Sequence, residues 1–281
     1  MTALCLIHAN CQGEVLRNIL LSSQDFTQKF HIHLYTNYIR EQIPEVDLQN
    51  AELFLYQNLG EHWGEFSSKQ LLARINPHCQ NIQIPNLFFK GYWPFWTNKI
   101  AAIDFANELL EKLLNLGLST QDILKIYLPG NHPDFFRIKT IAMDSLQQEK
   151  IKEQDSPIHC ANIIEEFWHN EQLFYTVNHP AKRLSLHVAQ TILQLLDLPP
   201  LSPSFIQTFQ HPDSNFILPI HPFVGTRLGL TFTGINVPYK IYSSQMTHKE
   251  FVIAYLACRL NNEKNIAAFC YNLKNNKIQY Q

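Results

Sequence analysis

Two hydrophobic periods alternate along this chain, and the switch between them sets its architecture. Ala3 to Ile7 is an unbroken apolar run, the pattern of a strand buried on both faces. Apolar residues then recur at helical spacing, at Val15, Leu16, Ile19 and Leu20. The joint between the two is His8-Ala9-Asn10-Cys11-Gln12-Gly13, so Cys11 is placed in a strand-to-helix turn. Phe30 to Tyr35 and Ala51 to Gln57 read as further strands, and Ile82 to Ile84 as a fourth, closed by Pro85-Asn86. Ser67 to Ile75 reads as a short helix between them.

The second half continues the alternation. Lys99 to Leu116 has one apolar face and is ended by Gly117, and Ser119 or Thr120 caps the next helix. Phe136 to Gln154 and Ile158 to His169 read as helices. Leu173 to Val177 is strand-like and runs into Asn178-His179-Pro180, with Pro180 suited to the first position of a helix over Ala181 to Leu196. His179 thus occupies a junction of the same kind as Cys11. After Pro199-Pro200 the chain becomes loop-rich. Thr247 to Leu260 reads as a helix with Glu250 in a capping box, and Ile266 to Tyr271 as an edge strand. Strands alternating with helices predict an α/β fold with a parallel sheet flanked by helices. We read one α/β domain over 1–281, with a sub-boundary near 147–156 and a C-terminal extension over 235–281.

Composition narrows the function. The net charge of −2 gives no basic field for nucleic acid. The six cysteines are widely and irregularly spaced, so reduced thiols in the cytoplasm are expected rather than disulfides or a zinc site. His31 and His33 share a strand face, but no third ligand follows at a usable spacing, so no metal is expected. No basic-then-apolar leader and no membrane-length apolar run is present. The absence of GxxxxGK and GxGxxG patterns argues against nucleotide hydrolysis and dinucleotide chemistry.

The candidate chemistry centres on Cys11. A helix N-terminus stabilises a thiolate, and a thiolate needs a base and donors for oxyanion charge. His179 is the candidate base. The backbone N–H groups of Gln12 and Gly13 are candidate oxyanion donors, and so is a side-chain amide at the end of the third strand, Gln57 or Asn58. Such a set suits acyl transfer. The stretch Leu87 to Trp96 holds six aromatic residues in ten, and reads as a plug over the core or a binding wall with Lys90 as its polar handle.

The turn HANCQG, the strand end YQNLGEHW, the block IPNLFFKGYWP and the block LFYTVNHPAKRL follow one another in an order that resembles the WcbI-type polysaccharide biosynthesis proteins. The resemblance covers roughly residues 3 to 230. It implies a core similar to the SGNH-hydrolase arrangement, with the nucleophile after the first strand. It also implies a coenzyme A-dependent acetyltransferase of capsule synthesis, taking acetyl-CoA as donor and a sugar or glycan precursor as acceptor. On it, Cys11 is the nucleophile or the thiol nearest the acyl group, His179 the general base and Gln57 an oxyanion or positioning donor. Gln12, Gly13, Arg17, Lys90, Tyr92, Trp93, Lys182 and Arg183 become candidates for holding coenzyme A. No carboxylate partner for His179 stands out, the adjacent residue being the amide Asn178. An esterase or deacetylase on the same site, or a non-catalytic module of a glycan assembly system, is the alternative reading. Oligomeric state is left open.

Overall fold

The computed structural model describes residues 2–274. Its elements in chain order begin with β1 (Ala3–Ala9), α1 (Gln12–Leu20), α2 (Gln24–Lys29), β2 (Phe30–Thr36), α3 (Glu45–Asn50), β3 (Ala51–Gln57), α4 (Ser68–Arg74) and β4 (Gln80–Ile84). They continue with α5 (Glu108–Asn115), α6 (Thr120–Tyr127), α7 (Ile138–Lys152), α8 (Ala161–Phe167), β5 (Phe174–Thr176), β6 (His179–Pro180), α9 (Lys182–Leu195) and α10 (Pro203–Thr208). The last are α11 (Pro222–Leu228), β7 (Tyr239–Ile241), β8 (Ser244–Met246), α12 (His248–Leu260) and α13 (Ile266–Lys274). The chain divides into two compact units. One comprises residues 1–87, 148–164 and 179–212, the other 88–147, 165–178 and 213–281.

The first unit is built on a four-stranded sheet of order β2-β1-β3-β4, with every pairing parallel. Leu4 to Ala9 of β1 are all buried, as a strand with neighbours on both edges and helices on both faces requires. On one face Leu4, Leu6 and Phe54 join Leu48 of α3 and Leu71 of α4 in a single cluster. On the other, α1 lies against β1 and β2 and is itself packed on α9. Because the strands run parallel, their carboxyl ends share one edge. The order reverses between β1 and β3, and in α/β sheets that reversal opens a crevice beyond the strand ends.

The second unit has an aromatic core. Phe89 packs on Tyr92, Trp168 and Phe174. Tyr92 donates its hydroxyl to the carbonyls of Trp168 (2.8 Å) and Glu171 (3.0 Å). The Trp93 indole N–H reaches the Leu218 carbonyl at 3.0 Å. Buried Glu111 accepts from Tyr255 (2.7 Å) and from the Arg259 guanidinium (2.9 Å). β7 and β8 form an antiparallel hairpin.

Most expected elements are present, including the capping box of α12. Four differ. The helix expected from Lys99 begins only at Glu108, where Asn107 accepts the N–H groups of Leu109 and Leu110 and fixes the start. Pro180 is not in a helix; α9 starts two residues later, after Ala181. Residues Ile266 to Tyr271, read as a strand, lie in α13. There the Asn265 side chain accepts the Ala268 N–H, and Ile266, Phe269 and Cys270 are buried at helical spacing. The region after Pro199, read as loop-rich to about Gly234, holds the short helices α10 and α11. No helix among the described residues is long and apolar enough to cross a membrane.

His8 places an imidazole near the carboxyl end of β1. It is 1 % exposed, and its Nε2 has no hydrogen-bond partner among the described residues. Burial pulls its pKa down from 6.5 to about 4, against a small opposing effect of Glu41. The unfolded chain therefore binds this proton more readily than the folded one. The associated stability is complete above about pH 6.5 and is lost as pH falls towards 4. Urea unfolding between pH 7.5 and 4.5 is expected to show this loss, worth about 3 kcal/mol for full titration. His8→Leu is expected to flatten that part of the pH profile.

Candidate functional site

The turn after β1 is held from several sides by side-chain amides. Asn10 gives its backbone N–H to Gln57 Oε1 at 2.8 Å. Its own Oδ1 accepts the Gln12 backbone N–H (2.9 Å) and Gln57 Nε2 (3.2 Å). Its Nδ2 donates to Asn86 Oδ1 at 3.0 Å. Gln12 reaches the other way: Nε2 donates to the Leu87 carbonyl (2.7 Å), and Oε1 accepts the Leu87 N–H (3.1 Å). Gln57 is fully buried at the end of β3, and it also accepts from Asn37 Nδ2 and donates to the Pro85 carbonyl. The turn is thereby tied to the ends of β3 and β4.

Cys11 stands at the start of α1 and is partly exposed. The other five thiols are buried. Burial raises the pKa of all five: to about 11 at Cys79 and about 12 at Cys258 and Cys270, and further still at Cys5 and Cys160. Gly13 lets α1 approach the sheet. A Cβ there would lie 2.8 Å from Ala9 Cβ and 2.9 Å from Leu34 Cδ1. α1 and α9 pack together, and a cavity of about 20 Å³ is lined by Gln12, Gln57, Pro180 and Ser185 among others. Gln12 follows Cys11 and Pro180 follows His179, so the two junctions adjoin one small space within the first unit.

The donors differ from those expected. The Gln12 N–H is taken by Asn10 Oδ1 and the Gly13 N–H by the Asn10 carbonyl at 2.8 Å. Both of them close the turn instead of facing a ligand. Both hydrogens of the Gln57 amide are engaged as well, which suits positioning and not oxyanion binding. Asn86, not singled out from the sequence, keeps its Nδ2 without a hydrogen bond among the described residues while its Oδ1 holds Asn10. Its signal in the sequence was an amide beside a proline at a strand end.

The expected coenzyme-binding cations are dispersed. Arg17 lies 3.3 Å from Glu14 on the surface of α1. Lys182 donates to the carbonyls of Gln207 and Phe209, and Arg183 beside it is exposed. Lys90 belongs to the second unit, where its backbone N–H donates to Ser145 and partial burial lowers its pKa. Tyr92 and Trp93 are buried there, with hydroxyl and indole N–H both on backbone carbonyls, so the aromatic stretch is a plug in that core. Among the described residues no group of three metal-ligating side chains occurs.

Comparison with known proteins bears on this site. The family described as polysaccharide biosynthesis enzyme WcbI matches residues 4–201. A solved structure matches with a TM-score of 0.73 and 17 % identity, over 99 % of this chain and 96 % of the other. That structure is described as WcbI, a novel polysaccharide biosynthesis enzyme, in its native form without a disulfide bond between coenzyme A and a cysteine. No curated protein sequence matches this chain.

Two outcomes follow for the folded protein. A thiol reagent such as dithionitrobenzoate is expected to modify one cysteine of the six rapidly, and Cys11→Ser is expected to abolish that phase. Gln57→Leu leaves the Asn10 N–H and Asn37 Nδ2 without an acceptor, and is expected to cost about 1–3 kcal/mol in urea unfolding.

Proposed function

This chain belongs to the WcbI family of polysaccharide biosynthesis enzymes, and from that premise we propose that it is a coenzyme A-dependent O-acyltransferase acting on a sugar or glycan precursor. The observation that carries the reading is Cys11: the one partly exposed thiol, at the N-terminus of α1, beyond the carboxyl edge of a parallel sheet. A nucleophile following the first strand of such a sheet also accords with an SGNH-like arrangement. Six unbridged thiols accord with a reducing, cytoplasmic setting.

When bound, acetyl-CoA supplies an acyl group as an activated thioester. The chain's own residues supply the rest. The partial positive charge at the start of α1 favours the Cys11 thiolate. His179 is assigned the role of general base, taking the proton of Cys11 or of the acceptor hydroxyl. Gln57 holds Asn10, and through it the turn, in the geometry the thiol requires. Asn86 Nδ2 is a further donor within reach of the same turn. Arg17 and Arg183 stand on α1 and α9, which pack together, and are the cations we assign to the diphosphate of the coenzyme.

Calorimetry with coenzyme A and acetyl-CoA on the parent chain and on Cys11→Ala tests this. Micromolar-range binding retained in Cys11→Ala is expected, together with loss of acetyl transfer to hydroxyl acceptors by at least about a hundredfold. His179→Ala is expected to lower the rate with little change in coenzyme affinity. An absence of binding to either compound would sink the coenzyme reading.

A further inference from the structure

The first unit contains a second, more polar cavity of about 140 Å³, beside the turn that holds Cys11. That is far more than the ~10–15 Å³ that one water needs. Asn58, Gln83, Asn86, Glu149, Lys152 and Glu153 supply its polar lining, together with Ser156, whose hydroxyl is engaged with the Gln83 and Ile158 carbonyls. Asn86 joins the cavity to the candidate site directly, since its Oδ1 holds Asn10, the residue before Cys11. Lys152 reinforces the joint by donating to the Asn86 carbonyl.

The state of these groups indicates what the cavity accepts. The side-chain amides of Asn58 and Gln83, and Nδ2 of Asn86, make no hydrogen bond among the described residues. Each such amide offers donors, and those of Asn58 and Gln83 offer an acceptor as well, which is the complement of a hydroxyl group. Glu149 is 3 % exposed and paired with Lys152 at 2.5 Å, so that pair contributes little net charge. Glu153 accepts the N–H groups of Cys160 and Ala161 with one oxygen and lies 3.7 Å from His159 Nδ1 with the other, and among the lining residues themselves two carboxylates face one ammonium. A net negative wall disfavours the phosphates of a coenzyme and the carboxylate of an acidic sugar.

We infer that this cavity is the acceptor subsite, and that it takes a neutral, polyhydroxylated sugar whose hydroxyls are read by Asn58, Gln83 and Asn86. The inference rests on the acyl-transfer reading above and deepens it by assigning the two substrates to separate places. The coenzyme lies along α1 and α9, and the acceptor hydroxyl approaches from the side of Asn86.

Saturation-transfer NMR on the full chain, with coenzyme A binding followed in parallel by calorimetry, tests the assignment. The probes are methyl α-mannopyranoside, methyl α-galactopyranoside and glucuronate. At least one neutral glycoside is expected to bind and glucuronate is not. Gln83→Leu, a change at a partly exposed position of β4, is expected to weaken glycoside binding about fivefold, the equivalent of one hydrogen bond. Its affinity for coenzyme A is expected to match the parent's. If coenzyme A binds but neither glycoside does, the subsite is wrong and the acyl-transfer reading stands. Glycoside binding indifferent to Gln83→Leu, or glucuronate binding as well as the neutral probes, overturns the inference too. If coenzyme A itself fails to bind, the reading falls and the inference with it.

Discussion

The site depends on one buried amide. Gln57 ends β3 with no exposure to solvent, and its four hydrogen-bonding positions are taken up by Asn10, Asn37 and Pro85. A buried amide left with a vacant position is costly, whereas a fully engaged one fixes its neighbours in place. Through Gln57 the end of β3 dictates the path of the chain as it leaves β1, and so where α1 starts. Gln12 repeats the device on the other side, pairing both ways with the Leu87 backbone. The turn is a polar joint set in an apolar sheet edge, and its rigidity comes from amides that carry no charge.

That joint separates Cys11 from the rest of the thiols. Five sulfurs are held protonated by burial, while the sixth sits at the positive end of a helix. The contrast is one of environment alone. It also clarifies why Gly13 follows: any side chain there would push α1 off Ala9 and Leu34, and carry Cys11 with it.

Much of this was legible in the sequence. The unbroken apolar run at Ala3–Ile7 marked a central strand, and the switch to helical period located the turn that holds Cys11. Gln57 was recognisable as an amide at a strand end. Its partners were not, because Asn10, Asn37 and Pro85 approach it only once the strands have ordered as β2-β1-β3-β4. The same holds for the donors. A helix start suggests open N–H groups at Gln12 and Gly13, but an Asn at position 10 closes its own turn and takes both. Ile266 to Tyr271 misled for a local reason: bulky apolar residues suggested a strand, and the decisive signal was the capping Asn265 just before them. The cavity beside Asn86 has no local sequence signature, being assembled from two strand ends and the last turn of α7.

The order in which the first unit is assembled has a consequence for synthesis. Its whole sheet is encoded before residue 85, so strand pairing and one helical face can form early on the ribosome. The opposite face is different. Val15, Leu16 and Leu20 of α1 turn their apolar side inward, and the helix packed against α1 is α9, translated only from Lys182 onward. Until then the nascent chain presents a sheet with an incompletely covered helix, at the turn that will hold its one partly exposed thiol. Such an intermediate exposes apolar surface for many seconds of elongation. The late helix that closes the core is also the one that follows His179, so chain folding and completion of the candidate site end in the same step.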